Sequence, residues 1–70
     1  MPDWDDIRYF LEVARTHRAS AAAARLGVEH TTVTRRIRHL EADLGQLLFE
    51  KSRRSGFTLT RSGQQLLAHA

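Results

Sequence analysis

Thr31, Thr34, Arg35 and Arg38 recur at i, i+3, i+4 and i+7 within the run HTTVTRRIRHL. On a helix these positions share one face. Such a face carries two hydroxyls, two guanidiniums and no apolar group. Hydroxyls donate or accept hydrogen bonds, and a guanidinium presents a rigid fork of donors to phosphates or base edges. That is the chemistry of recognition. Catalysis has little to work with, because there is no cysteine, no glycine-rich phosphate loop and no acid pair at a suitable spacing. The four histidines (His17, His30, His39 and His69) show no tight pairing with carboxylates in the sequence. His30 and His39 stand too far apart for two ligands on one helix turn. No enzyme, catalytic residue, metal or cofactor is expected.

The elements that must position this face follow from periodicity. Val33, Ile37, Leu40 and Leu44 form the opposite, apolar stripe, so a helix runs from about His30 to Leu44 and closes at Gly45. Thr32, Arg36, His39 and Asp43 lie along one flank. Upstream, a short helix covers Ala21 to Leu26, with Ser20 as candidate N-cap and Gly27 as left-handed closer. The first helix starts with Asp3 as N-cap and with Asp5 and Asp6 at the positive end of its dipole. Its apolar face is Ile7, Phe10, Leu11 and Ala14, flanked by Trp4 and Val13, and it fades near His17. After Gly45, Leu47-Leu48-Phe49 and the alternating Phe57-Thr58-Leu59-Thr60 read as a two-stranded hairpin with a basic tip. Thr60 then caps a last helix, with Gly63 where a capping box would place glutamate.

A short helix, a tight corner and a longer helix make a helix-turn-helix unit. The fold class expected is mainly α with a small β-hairpin, a winged helix-turn-helix in the order α-α-α-β-β-α. The small Ala23 suits a close helix crossing. A B-DNA major groove, about 12 Å wide, admits one helix. Helix 30–44 would enter it, with Arg35 reading a base and His30, Thr31 and Thr34 assisting. Arg38, Arg53 and Arg54 would neutralise phosphates, and the wing, 51–56, would lie on backbone or in the minor groove. Arg18 or Ser20, at the start of the second helix, would touch backbone. The blander alternatives are an ordinary helical pair and a solvated basic loop.

Charge is unevenly spread. The net charge is +3. Residues 1–12 carry Asp3, Asp5, Asp6 and Glu12 against Arg8 alone. All but one of the 11 basic residues follow residue 12, and all but one are arginine. That asymmetry fits either a polyanionic partner or a solvated basic surface. At 70 residues the chain is one small domain or part of a longer one. No stretch approaches the ~20 apolar residues that cross a bilayer, and no signal-peptide pattern opens the chain. A soluble cytoplasmic protein without a membrane partner is expected.

Taken together, these motifs resemble the N-terminal domain of LysR-type transcriptional regulators, over essentially the whole chain. Ile7 to Ala14 is similar to that family's first helix, and Ala22-Ala23, Arg25-Leu26 and Val28 to its second. Val33-Thr34-Arg35-Arg36-Ile37-Arg38-His39-Leu40-Glu41 resembles its hydrophobic-Ser-Arg-x-Ile-x-x-Leu-Glu run. Leu44-Gly45, Leu48-Phe49-Glu50-Lys51, Leu59-Thr60 and Gly63 follow in the family's order and spacing.

The resemblance implies a winged helix-turn-helix domain over 1–60 that binds double-stranded promoter DNA. It also implies a linker helix beginning at 61–70 that forms a homodimer in the full-length protein. An effector ligand would bind only in a C-terminal domain. The chain stops ten residues into that helix and is read as a DNA-binding-domain fragment. Four departures stand out. Glu29-His30-Thr31 replaces the family's Ser-Gln-Pro/Ser, which implies a poorer cap and a different preferred sequence. Thr34 stands for serine. Ala19 replaces a larger apolar residue, and the wing is one residue longer than is common. The rival reading is a winged-helix protein-interaction module that never touches DNA.

Overall fold

The computed structural model describes residues 4–69. Three helices come first: α1 (Trp4–Thr16), α2 (Ala19–Leu26) and α3 (His30–Leu44). A hairpin of β1 (Phe49–Ser52) and β2 (Gly56–Leu59) follows, then α4 (Arg61–His69). This is the α-α-α-β-β-α order expected. The strands pair antiparallel with Phe49 opposite Leu59 and Ser52 opposite Gly56. The intervening turn is 53–55, where Ser52 Oγ accepts from the Arg54 N–H at 3.2 Å. Among the described residues no helix is long and apolar enough to cross a membrane.

The seam of the domain is where α1 and α3 meet. Phe10, Val13, Val33, Leu40 and Leu48 are fully buried, with Ile37 and Tyr9 close behind. Each such side chain contributes about 1.5–3 kcal/mol on leaving water. The Phe49 ring joins the hairpin to this seam, 5.4 Å from Phe10 and 5.7 Å edge-on to Phe57. Ala22 and Ala23 are buried on α2, as a close crossing requires. Ala19, small where the resembled family is large, is half-buried against the same core.

Four local expectations need correction. Leu44, expected on the inward stripe of α3, is 37% exposed, and the buried stripe ends at Leu40. Leu11 is not in the core; it is 37% exposed, and Asp6, Tyr9 and Val13 take the buried positions instead. The reason is that α1 packs against α2, α3 and β2 at once, so its buried arc is wider than, and rotated from, one i/i+3/i+4 stripe. Trp4, expected beside that face, is 79% exposed. Ser20 does not cap α2. The helix begins two residues earlier, at Ala19 after an extended Arg18, with no side-chain cap. The Asp3 cap falls outside the described residues.

Downstream of α3 the backbone is knitted by one carboxylate and one hydroxyl. Glu41 accepts from the Leu48 N–H at 2.8 Å and more weakly from Phe49 at 3.4 Å. Thr60 Oγ1 donates to the Leu47 carbonyl at 2.6 Å and accepts from the Gly63 N–H at 3.1 Å, the expected cap. Gly63 lies so near that a Cβ there would sit 2.2 Å from the Leu48 carbonyl oxygen. Gly63→Ala should therefore lower stability by about 1–3 kcal/mol through overpacking, although alanine is the better helix former by about 1 kcal/mol. Urea denaturation checks this, with the exposed Gln64→Ala as a near-neutral control.

Candidate nucleic-acid interface

Burying Val33, Ile37 and Leu40 turns the other side of α3 outward. His30, Thr31, Arg35 and Arg38 are exposed on it, and Thr34 is half-buried. Thr34 Oγ1 donates to the Thr31 carbonyl at 3.0 Å. Its proton is thereby committed to the helix, and its lone pairs remain for a donor from outside. Glu29 precedes the helix in an extended conformation and makes no side-chain cap bond. At the start of α3 the Thr32 and Val33 N–H groups donate to the Glu29 carbonyl at 3.0 and 3.3 Å, so the capping is by backbone alone.

The residues expected to act together divide into groups. Arg18, Ser20, His30, Thr34 and Arg53 line one cleft of about 300 Å³ between the starts of α2 and α3 and the wing. Thr34 and Arg38 line an adjoining hollow of about 110 Å³. Thr31 and Arg35 lie on the outer, exposed face of α3, and Arg54 is exposed in the wing turn. Arg18 is partly engaged already, because its Nη2 donates to the Arg54 carbonyl at 3.4 Å. Lys51 lines both hollows, its Nζ 5.4 Å from the Phe57 ring centre. Sequence reading placed it in the wing without assigning it a role. The alternation Phe49-x-Lys51 on a short strand was the signal that it shares the face turned toward α3.

Part of the acidic charge is engaged away from this surface, while Glu41 lines the hollow with Thr34 and Arg38, and Glu29 is exposed at the start of α3. Asp6, fully buried on α1, receives Arg36 Nη1 at 3.0 Å and His39 Nδ1 at 2.5 Å. His39 also stands 3.7 Å from Asp43, one turn on. Arg36 lies over the Tyr9 ring, 5.4 Å from its centre. This corrects the expectation that no histidine pairs tightly with a carboxylate. The i,i+4 spacing of His39 and Asp43 was visible in the sequence; Asp6, 33 residues upstream of His39, was not. Asp6, His39 and Asp43 offer ligand atoms within 4.8 Å of one another. A guanidinium and an imidazole already engage both oxygens of Asp6, so the cluster reads as an ion-pair network fastening α1 to one flank of α3. Elsewhere Glu12 binds Arg25 at 2.6 Å. Among the described residues no ion pair engages Arg35, Arg38, Arg53 or Arg54.

A helix-turn-helix with a basic hairpin beside its second helix defines a winged nucleic-acid-binding class. Residues 4–64 match the family described as "Bacterial regulatory helix-turn-helix protein, lysR family", and this chain belongs to that family. It is 41% identical over 68 residues to the HTH-type transcriptional regulator TcbR of Pseudomonas sp. (strain P51), covering 97% of this chain and 23% of that protein. It is 46% identical over 66 residues to the HTH-type transcriptional regulator TrpI of Pseudomonas aeruginosa, covering 94% of this chain and 22% of that protein. The crystal structure of the CbnR_DBD–DNA complex superimposes with a TM-score of 0.90 at 39% identity, over 96% of this chain and 76% of that one. The chain thus spans under a quarter of the length of the curated relatives it matches. Those relatives are transcriptional regulators, not enzymes.

The network carries a pH prediction. The His39 imidazole is raised above its ordinary 6.5, first by its hydrogen bond to Asp6 and then by the Asp43 and Asp6 charges, against desolvation and the Arg36 charge. A raised folded-state pKa means that the protonated form stabilises the fold. That contribution is complete below pH 6.5 and fades as pH climbs through the raised value. The urea midpoint should fall from about pH 6 to about pH 9, and His39→Ala should remove most of that slope. An unchanged slope in the variant would show that His39 does not titrate in this range.

Proposed function

We propose that this chain is the DNA-binding domain of a LysR-type transcriptional regulator and binds double-stranded promoter DNA sequence-specifically. The observation that carries this reading is the convergence of unpaired arginines on α3 and the wing around a helix face free of apolar residues. The relative of known structure with 39% identity was captured with DNA, which supports the same reading.

In this reading α3 enters the major groove. Arg35 makes the principal base contact, since a guanidinium binds guanine bidentately. His30 and Thr31 assist, and Thr34 offers an acceptor only. Arg38, Arg53 and Arg54 neutralise phosphates, and Lys51 joins them from the wall of the cleft. Arg18 and Ser20 stand at the uncapped start of α2, where a phosphate meets the helix dipole. We assign 1–60 to the winged helix-turn-helix and 61–70 to the start of a linker helix through which the full-length protein forms a homodimer. Any effector ligand belongs to a further C-terminal domain. A regulator of promoters works on the chromosome, in the cytoplasm.

Selection of bound duplexes from a random pool, then titration by fluorescence anisotropy at several salt concentrations, tests the reading. A common motif should emerge. Arg35→Ala should lose about 1–3 kcal/mol of discrimination at one base pair. Arg54→Ala should weaken all sequences alike and reduce the slope of log K against log salt by about 0.9. Equal weakening of every duplex by both variants would refute the division of roles. Absence of binding at low salt would refute the function.

A further inference from the structure

Away from the recognition face, we infer that His17, at the corner between α1 and α2, is a positioning residue that hangs the wing on the helical core. It does so by standing in for a missing β-strand. This inference rests on the proposed DNA-binding role of the wing.

His17 has φ 62, alone among the described non-glycine residues in the left-handed region. That conformation turns the chain out of α1. The His17 N–H is spent inside the corner, donating to the Val13 carbonyl at 2.8 Å. Its carbonyl faces the outer edge of β2 and accepts from the Phe57 N–H at 2.8 Å. A neighbouring strand would next supply an N–H to the Phe57 carbonyl. His17 has none left, and its ring takes that place, with Nδ1 3.0 Å from the Phe57 oxygen. A carbonyl can only accept, so Nδ1 carries the proton. One residue thereby satisfies both edge groups of Phe57, as a strand partner would.

Two more features belong to the same joint. Gly56 has φ 70, and a Cβ on it would lie 2.2 Å from the His17 carbonyl oxygen. The strand can approach the corner only without a side chain there. Arg18, the next residue, donates to the Arg54 carbonyl at 3.4 Å in the wing turn. The backbone at Arg54 is thus held by a contact from the corner between α1 and α2. Among the described residues the turn is otherwise tied by Ser52 and its own short ladder. A hairpin of two four-residue strands is marginal alone.

The ring can be removed without disturbing the turn. His17→Gly keeps the left-handed φ at no steric cost. His17→Asn also tolerates that φ and restores a side-chain N–H donor close to where Nδ1 sits. In the 70-residue chain, amide exchange of Phe57, Arg54 and Ser55 should quicken in His17→Gly and return toward wild type in His17→Asn. Exchange within α3 should stay unchanged. With a mixed-sequence duplex, the fall in affinity between 50 and 200 mM salt should shrink about three- to fourfold for each phosphate that the wing no longer neutralises. In a chain carrying Arg53→Ala and Arg54→Ala, adding His17→Gly should weaken binding no further. Unchanged wing exchange in His17→Gly, failure of asparagine to restore it, or an equal loss of affinity in both backgrounds would overturn the inference. If the wild-type chain bound no duplex, the DNA-binding reading would fall, and the exchange comparison would still decide whether His17 holds the wing.

Discussion

Val33, Ile37 and Leu40 press α3 onto Phe10 and Val13 of α1, and the rest of the molecule is arranged around that contact. A helix of 15 residues buried on one narrow stripe must show the remainder of its circumference to water. Among the described residues no second layer covers it. The outward face has been filled with groups that lose little by staying solvated: hydroxyls, guanidiniums and one imidazole. Such groups keep their hydrogen-bonding capacity until a partner exchanges it for water. The same seam that stabilises the domain therefore sets the orientation of its binding face, and a change in packing at Leu40 or Phe10 would be felt by Arg35.

Electrostatic separation complements the packing. A carboxylate as deeply buried as Asp6 is costly unless cations accompany it. Arg36 and His39 supply them from the flank of α3, and Tyr9 stacks beneath the guanidinium. The network thus consumes one arginine of α3 and leaves Arg35 and Arg38 to the outward face. Adjacent arginines on one helix have different fates because successive residues are turned by about 100°.

What could be read from the residue order was whatever depends on neighbours in sequence. The bounds of α3, its closure at Gly45, the presence of a hairpin and the Thr60 cap all follow from periodicity and turn chemistry within a few residues, although the first strand is Phe49–Ser52 and not the expected Leu47-Leu48-Phe49. What escaped depends on pairs far apart. Asp6 meets His39 across 33 positions. His17 meets Phe57 across 40, with nothing local to announce it. Leu11 was misplaced because a helix touched on three sides does not obey a single stripe. Ser20 lost the capping position because Arg18 takes the extended conformation at the corner, starting α2 two residues early. On the recognition face, the identities of the exposed residues were legible. Their grouping was not, because the cleft shared by Arg18, His30 and Arg53 forms only when the wing folds back beside the helices.

The seating of Gly63 against the Leu48 carbonyl has a mechanical corollary. With no side chain to act as a cushion, the first turn of α4 bears directly on backbone. That backbone is clasped on its other side by the Glu41 carboxylate of α3. A torque applied at the far end of α4 would reach the C-terminal half of α3 through these two contacts, Gly63 on the Leu48 carbonyl and Glu41 on the Leu48 N–H. The domain is built like a key with a stiff shank, so that turning the shank turns the bit.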